Sequence, residues 1–193
     1  MSYQDETQKN PLYVRPVSNL YSFYLFKVGS PESYADWFET MRQAGEHDLV
    51  KIHVNSPGGD LNTTVQLMRC MAECQATVVV SVEGECMSAA TMILMQADMV
   101  EISDHSMFMF HNYSGGAIGK GGEIFDKVSF EKPWIEGIMR DCYEHFLSDE
   151  EIEKMLDGKD YWMDSEEVTE RLQAKAKIIE TLNDVKEGSE AGC

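Results

Sequence analysis

Apolar positions along this chain change period repeatedly, and each change marks the passage from one secondary-structure element to the next. Tyr21–Val28 (YSFYLFKV) is an aromatic-rich run that predicts a strand. Ser30 and Pro31 then open a helix over about 32–44, because proline suits the first turn of a helix. Leu49–Val54 (LVKIHV) alternates as a second strand should, and it runs directly into the turn Asn55-Ser56-Pro57-Gly58-Gly59-Asp60. From Leu61 to Cys74, apolar Leu61, Val65, Met68, Met71 and Ala72 fall on one side of a helix. Ala76–Val82 (ATVVVSV) is a β-branched run of the kind found in buried parallel strands. A turn at Glu83-Gly84-Glu85 is expected to lead into an apolar helix over Cys86–Ala97, followed by strands at Met99–Ser103 and Ser106–Phe110. Strands that alternate with helices in this way predict an α/β fold with right-handed crossovers.

The pattern lapses over Ser114–Gly122, where five of nine residues are glycine, and a mobile loop is expected there. Ile135, Ile138, Met139, Cys142, Tyr143, Phe146 and Leu147 then form a helical stripe with Pro133 at its start. Ser148-Asp149-Glu150-Glu151 matches a capping box for a short helix that Gly158 would stop. Arg171–Asn183 predicts a charged terminal helix. Residues 1–19, polar and broken by Pro11 and Pro16, are expected to be an arm, and 186–193 a flexible tail, leaving residues 20–185 as one domain. A chain of 193 residues suits a single domain, which at this size buries roughly 70% of its unfolded surface.

Charge narrows the partners. With 16 Lys and Arg against 34 Asp and Glu, the formal charge is −18, which opposes attraction to nucleic acid or an anionic membrane. The start of the sequence has no basic, apolar signal region, and no stretch approaches the roughly 20 apolar residues of a membrane span, so a soluble, unsecreted, cytoplasmic protein is expected. On that expectation the glycosylation sequons at Asn62 and Asn112 are chance matches. Five cysteines without a CxxC pair suggest neither a disulfide framework nor a zinc site, and no metal or cofactor is expected.

Amide hydrolysis by a serine needs a nucleophile, a base, a group that orients the base, and donors for the oxyanion. Ser88 follows a strand and a turn and opens a helix, which puts its hydroxyl near the positive end of a helix dipole. Taken singly it also reads as a helix cap. The Pro-Gly-Gly bend likewise reads as an ordinary turn, yet beside the small-residue helix after Ser88 it predicts an oxyanion hole from the N–H groups of Gly59 and Ala89. His111 ends the apolar run MFMF, where a strand would deliver it to the same sheet edge; His47, His53, His105 and His145 have blander contexts. Asp160 follows a helix stop and precedes Tyr161-Trp162, which are expected to bury its carboxylate in part, although spacing alone does not select it among so many acids.

The segments NSPGG (55–59), GECMSAA (84–90), SMFMFH (106–111) and KDYWMDSEEV (159–168) together resemble the Clp protease proteolytic subunit, a family with the crotonase-like ββα-superhelix fold. The resemblance covers roughly residues 20–170 and keeps the family's motif order. It implies a Ser88, His111 and Asp160 triad, with Gly59 and Ala89 as oxyanion donors, acting through an acyl-enzyme. It also implies a protruding handle helix at about 114–147 and a homo-oligomeric, stacked double ring whose chamber cuts unfolded polypeptides. An AAA+ unfoldase would feed that chamber and would be the sole user of ATP. The chain departs from the family in having Ala89-Ala90 rather than Met-Gly after the serine, in Thr169–Ala174 where a final strand begins, and in its N-terminal arm. Two alternatives remain at this point: a crotonase-type acyl-CoA enzyme, whose oxyanion hole needs no triad, and a non-catalytic ring or scaffold subunit.

Overall fold

A computed structural model of the protein describes residues 17–190, with side chains through residue 185. Most of the predicted arm and the end of the predicted tail therefore lie outside the described residues. The described chain is an α/β structure built on a six-stranded sheet in the order β1-β2-β3-β5-β6, with β4 also paired to β3. Strand β1 (Leu20–Leu25), β2 (Leu49–Ser56) and β3 (Thr77–Met87) lie parallel, as do β4 (Met99–Ile102) and β5 (Met107–Phe110) against β3. Strand β6 (Tyr161–Asp164) alone is antiparallel, against β5.

The core follows from the β-branched runs. Val50, Ile52 and Val54 of β2 and Val78, Val80 and Val82 of β3 are almost wholly buried, each contributing about 1.5–3 kcal/mol through removal from water. Helix α1 (Ala35–Gln43) and α2 (Leu61–Glu73) bring Met41, Leu67 and Cys70 onto this layer, and α3 (Ala89–Met95) adds Ile93 and Leu94. Asp60 caps α2, its carboxylate accepting from the Thr63 amide at 2.8 Å. Burial pushes the thiol of Cys142 up to about 12 and that of Cys86 higher still, which fits packing thiols rather than reactive ones.

Strand β3 corrects the expected turn at Glu83–Glu85 and the expected helix start at Cys86. Its first half pairs with β4 (Val79–Val82 with Met99–Ile102) and its second half with β5 (Glu85–Met87 with Met107–Met109), so the chain remains extended through the polar Glu-Gly-Glu. Asn55 supports this path by accepting a hydrogen bond from the Glu85 amide at 3.0 Å. Ser88 therefore stands at the true strand end.

Helix α4 (Gly121–Tyr143) starts well before the predicted Trp134 and carries Pro133 in its interior. Its first half leaves Phe125, Val128 and Phe130 exposed, so no buried stripe announces it, while Ile135, Met139 and Tyr143 enter the core. The short helix α5 (Asp149–Leu156) has the capping box read from its sequence, with Ser148 and Glu151 bonded reciprocally. Beyond it Gly158 adopts φ 104°. Helix α6 (Ser165–Glu190) begins directly after β6 and runs farther in both directions than the predicted Arg171–Asn183, occupying the segment where the family pattern would place a final strand.

Candidate active site

A glycine-dependent turn after β2, the turn at Ser88 after β3 and the end of β5 converge at one edge of the sheet. After β2, Gly58 and Gly59 adopt φ 93° and 150°, conformations that L side chains rarely take. A Cβ on Gly58 would lie 2.7 Å from the Met87 carbonyl oxygen, 2.8 Å from the Ser88 Cβ and 2.9 Å from the Ala89 nitrogen, so only glycine lets this turn touch the start of α3. On Gly59 it would lie 2.0 Å from the Val28 carbonyl oxygen. Val28 braces the turn, donating to the Gly58 carbonyl and accepting from the Asp60 amide, both at 2.9 Å. The segment bearing Val28 is itself held by Tyr34, whose hydroxyl donates to the Lys27 carbonyl at 2.6 Å.

Ser88 occupies φ 53°, ψ −127°, a conformation that costs a non-glycine residue about 1–3 kcal/mol. Its amide donates to the Met109 carbonyl at 2.9 Å, tying the turn to β5, and its carbonyl accepts from the Thr91 amide at 2.9 Å. The strained turn turns the hydroxyl toward β5, where it meets Nε2 of His111 at 2.7 Å. Two of the three residues predicted for a triad are thus hydrogen-bonded, although 23 positions separate them in sequence.

The amides of Gly59 and Ala89 have no intramolecular acceptor among the described residues, the first because Val28 engages its two neighbours, the second because it opens a helix. Gly59, Ser88, Ala89 and His111 line one cavity of about 60 Å³. Leu61, Met92, Met139 and Tyr143 supply its apolar wall. That space holds a few water molecules, enough for a carbonyl group or a small side chain.

Asp160 is placed differently. Strand β6 pairs Tyr161 with Phe110, and the same register continued by one residue sets Asp160 opposite His111. The carboxylate nevertheless is exposed rather than partly buried by the aromatic pair, and no hydrogen bond joins it to His111 among the described residues. Its exposure follows from alternation along β6: Asp160 shares the strand face of Trp162, itself 57% exposed, whereas Met163 turns inward.

Two residues of the site escaped the motifs. Thr91 bonds the Ser88 carbonyl through its hydroxyl as well as its amide, and Tyr143, visible in sequence only as one member of an apolar stripe, bonds Thr91. A family model described as Clp protease matches residues 38–171, a span that includes all five predicted site residues. No curated protein sequence matches the chain.

Proposed function

The chain belongs to the Clp protease family, and from that premise we propose that it is a serine-type endopeptidase with Ser88 as nucleophile and His111 as general base. The observation that carries this reading is the 2.7 Å hydrogen bond between the two side chains beside a cavity lined by Gly59 and Ala89, whose amides have no acceptor among the described residues. In the scheme, the Ser88 hydroxyl attacks the scissile carbonyl while His111 Nε2 takes its proton. The tetrahedral oxygen is held by the amides of Gly59 and Ala89. His111 then gives the proton to the leaving amine, and water releases the acyl-enzyme by the same route reversed. A neutral imidazole that accepts at Nε2 carries its own proton on Nδ1, and Asp160, one register step across the strands, is the proposed acceptor for it.

The chemistry needs no cofactor within this chain. The exposed apolar residues on the first half of α4, with Phe125 and Phe130 each 71% exposed, support a handle that is covered in a homo-oligomeric, stacked ring. Unfolded polypeptides are the proposed substrates, delivered in the cytoplasm by an AAA+ unfoldase that would consume the ATP. None of the helices among the described residues is long and apolar enough to cross a membrane.

Labelling with a fluorophosphonate probe tests the central step. Wild-type protein is expected to carry the adduct on Ser88 by mass spectrometry, and Ser88→Ala to carry none while assembling as before. Assembled wild-type protein that takes up no label would instead support the scaffold alternative.

A further inference from the structure

Ser88 holds a backbone conformation that needs outside support, and the structure supplies a buried chain of hydroxyls for it. The Thr91 hydroxyl donates to the Ser88 carbonyl at 2.7 Å, so its single hydrogen is committed. The Tyr143 hydroxyl lies 2.7 Å from the same Thr91 oxygen and must therefore be the donor of that pair. Thr91 is fully buried and Tyr143 is 1% exposed. Burial keeps the phenol protonated by pushing its pKa well above the ordinary range, so it remains a donor. The Tyr143 ring also packs edge-on against Phe110, the residue before His111, at 5.6 Å between centroids.

We propose that Thr91 and Tyr143 are positioning residues for Ser88: a relay from the C-terminal end of α4 that holds the nucleophile turn at its reactive angle. This rests on the peptidase reading above and adds to it the element that controls the nucleophile. Neither residue touches the reacting atoms through its hydroxyl. Their effect is on geometry, and a displacement of about 1 Å at a nucleophile lowers turnover about 100-fold.

The relay's two members give a test in which stability and positioning separate. Thr91→Val alone strands the buried Tyr143 hydroxyl and lowers the melting temperature. Thr91→Val/Tyr143→Phe removes both polar groups and restores the melting temperature close to wild type, because replacing both partners of a buried pair by apolar groups of the same shape is nearly neutral. In that double variant, kcat on a short peptide and the rate of fluorophosphonate labelling at Ser88 are expected to fall about 10- to 100-fold, with KM changed about twofold or less. Thr91→Ser, which keeps the hydroxyl, is expected to stay within about threefold of wild type. A double variant that melts with wild type and labels at the wild-type rate would overturn the proposal. Should wild-type protein itself take no label, the peptidase assignment fails independently. The relay is then judged from a crystal structure of the double variant: Ser88 still near φ 53° overturns it, and a relaxed Ser88 backbone supports it.

Discussion

Arg171→Met removes the ion-pair cluster that fastens α6 to α5. The guanidinium donates to both Glu151 oxygens at 3.0 and 2.9 Å, to Glu167 at 3.1 and 3.0 Å, and to the Phe146 carbonyl at 3.4 Å. Arg171 and Glu151 are only 26% and 23% exposed, so the cluster is shielded but not dry. The hydrogen bonds from Arg171 are the main reason that the Glu151 carboxyl falls from 4.5 to about 2. At about 1.4 kcal/mol per pKa unit that shift corresponds to at most roughly 3 kcal/mol. Solvent screening at this exposure reduces the expected contribution to about 1–2 kcal/mol. Because the folded-state pKa is depressed, the contribution is present above pH 4.5 and is lost as pH falls toward 2. Urea unfolding of wild type and Arg171→Met, in steps between about pH 7 and about pH 2, should show the wild type about 1–2 kcal/mol more stable at neutrality and the gap closing in acid. Other carboxylates with lowered pKa, such as Glu101 and Glu153, titrate alike in both proteins and cancel from the difference. A gap that stays constant down to about pH 2, or that is absent at pH 7, would refute the reasoning.

The site makes three more predictions. Gly58→Ala places a Cβ 2.7 Å from the Met87 carbonyl oxygen and 2.9 Å from the Ala89 nitrogen, so Ser88 labelling should drop at least about tenfold while circular dichroism still shows a folded chain; normal labelling would contradict the proposed contact. Asp160→Asn should lower kcat at least about tenfold if the carboxylate orients His111, and an unchanged kcat would remove Asp160 from the mechanism. Met139→Ala widens a cavity of about 60 Å³ and should shift kcat/KM about tenfold toward peptides with a larger apolar residue before the cleaved bond. An unchanged preference would show that the cavity receives no substrate side chain.

Much of this architecture is legible in sequence because the relevant signals are local. The β2 and β3 runs declare themselves by β-branching, and Ser148–Glu151 declares a helix start by a capping geometry that the structure contains. Elements whose stability comes from distant pairing are not so visible. Glu83-Gly84-Glu85 has the composition of a turn, and only its pairing with β5 and its contact with Asn55 make it a strand. The first half of α4 has no fully buried residue, opens on two glycines and leads into Pro133 at mid-helix, which conceals its helical period. At the site, the positions of Ser88, Ala89 and His111 at strand ends or a helix start, and of Gly59 in the turn after β2, are legible because each adjoins an element boundary. The exposure of the Asp160 carboxylate depends on which way β6 alternates, and the Thr91–Tyr143 bond joins positions 52 residues apart, so neither leaves a mark on local pattern.

The arrangement around Ser88 also explains why a strained serine can persist there. Its amide is fixed by β5, its carbonyl is fixed twice by Thr91, and the glycine turn presses on it from the side of β2. One local contact from Thr91 and two long-range ones from β5 and the glycine turn thus offset a cost of about 1–3 kcal/mol, and buried Thr91 and Gly58 hold the turn in place. The same packing joins the nucleophile to α4. That helix is continuous from its exposed Phe125 and Phe130 to its buried Tyr143, which reaches Ser88 through one hydroxyl. A subunit covering the exposed end in the proposed ring would bear on the element whose other end sets the nucleophile. Peptidase activity should therefore depend on assembly: charge-introducing substitutions such as Phe125→Glu and Phe130→Glu that leave the protomer folded but dissociated should lower labelling of Ser88 as well as oligomer mass. Dissociated protein that labels at the wild-type rate would show that the site is complete in a single subunit.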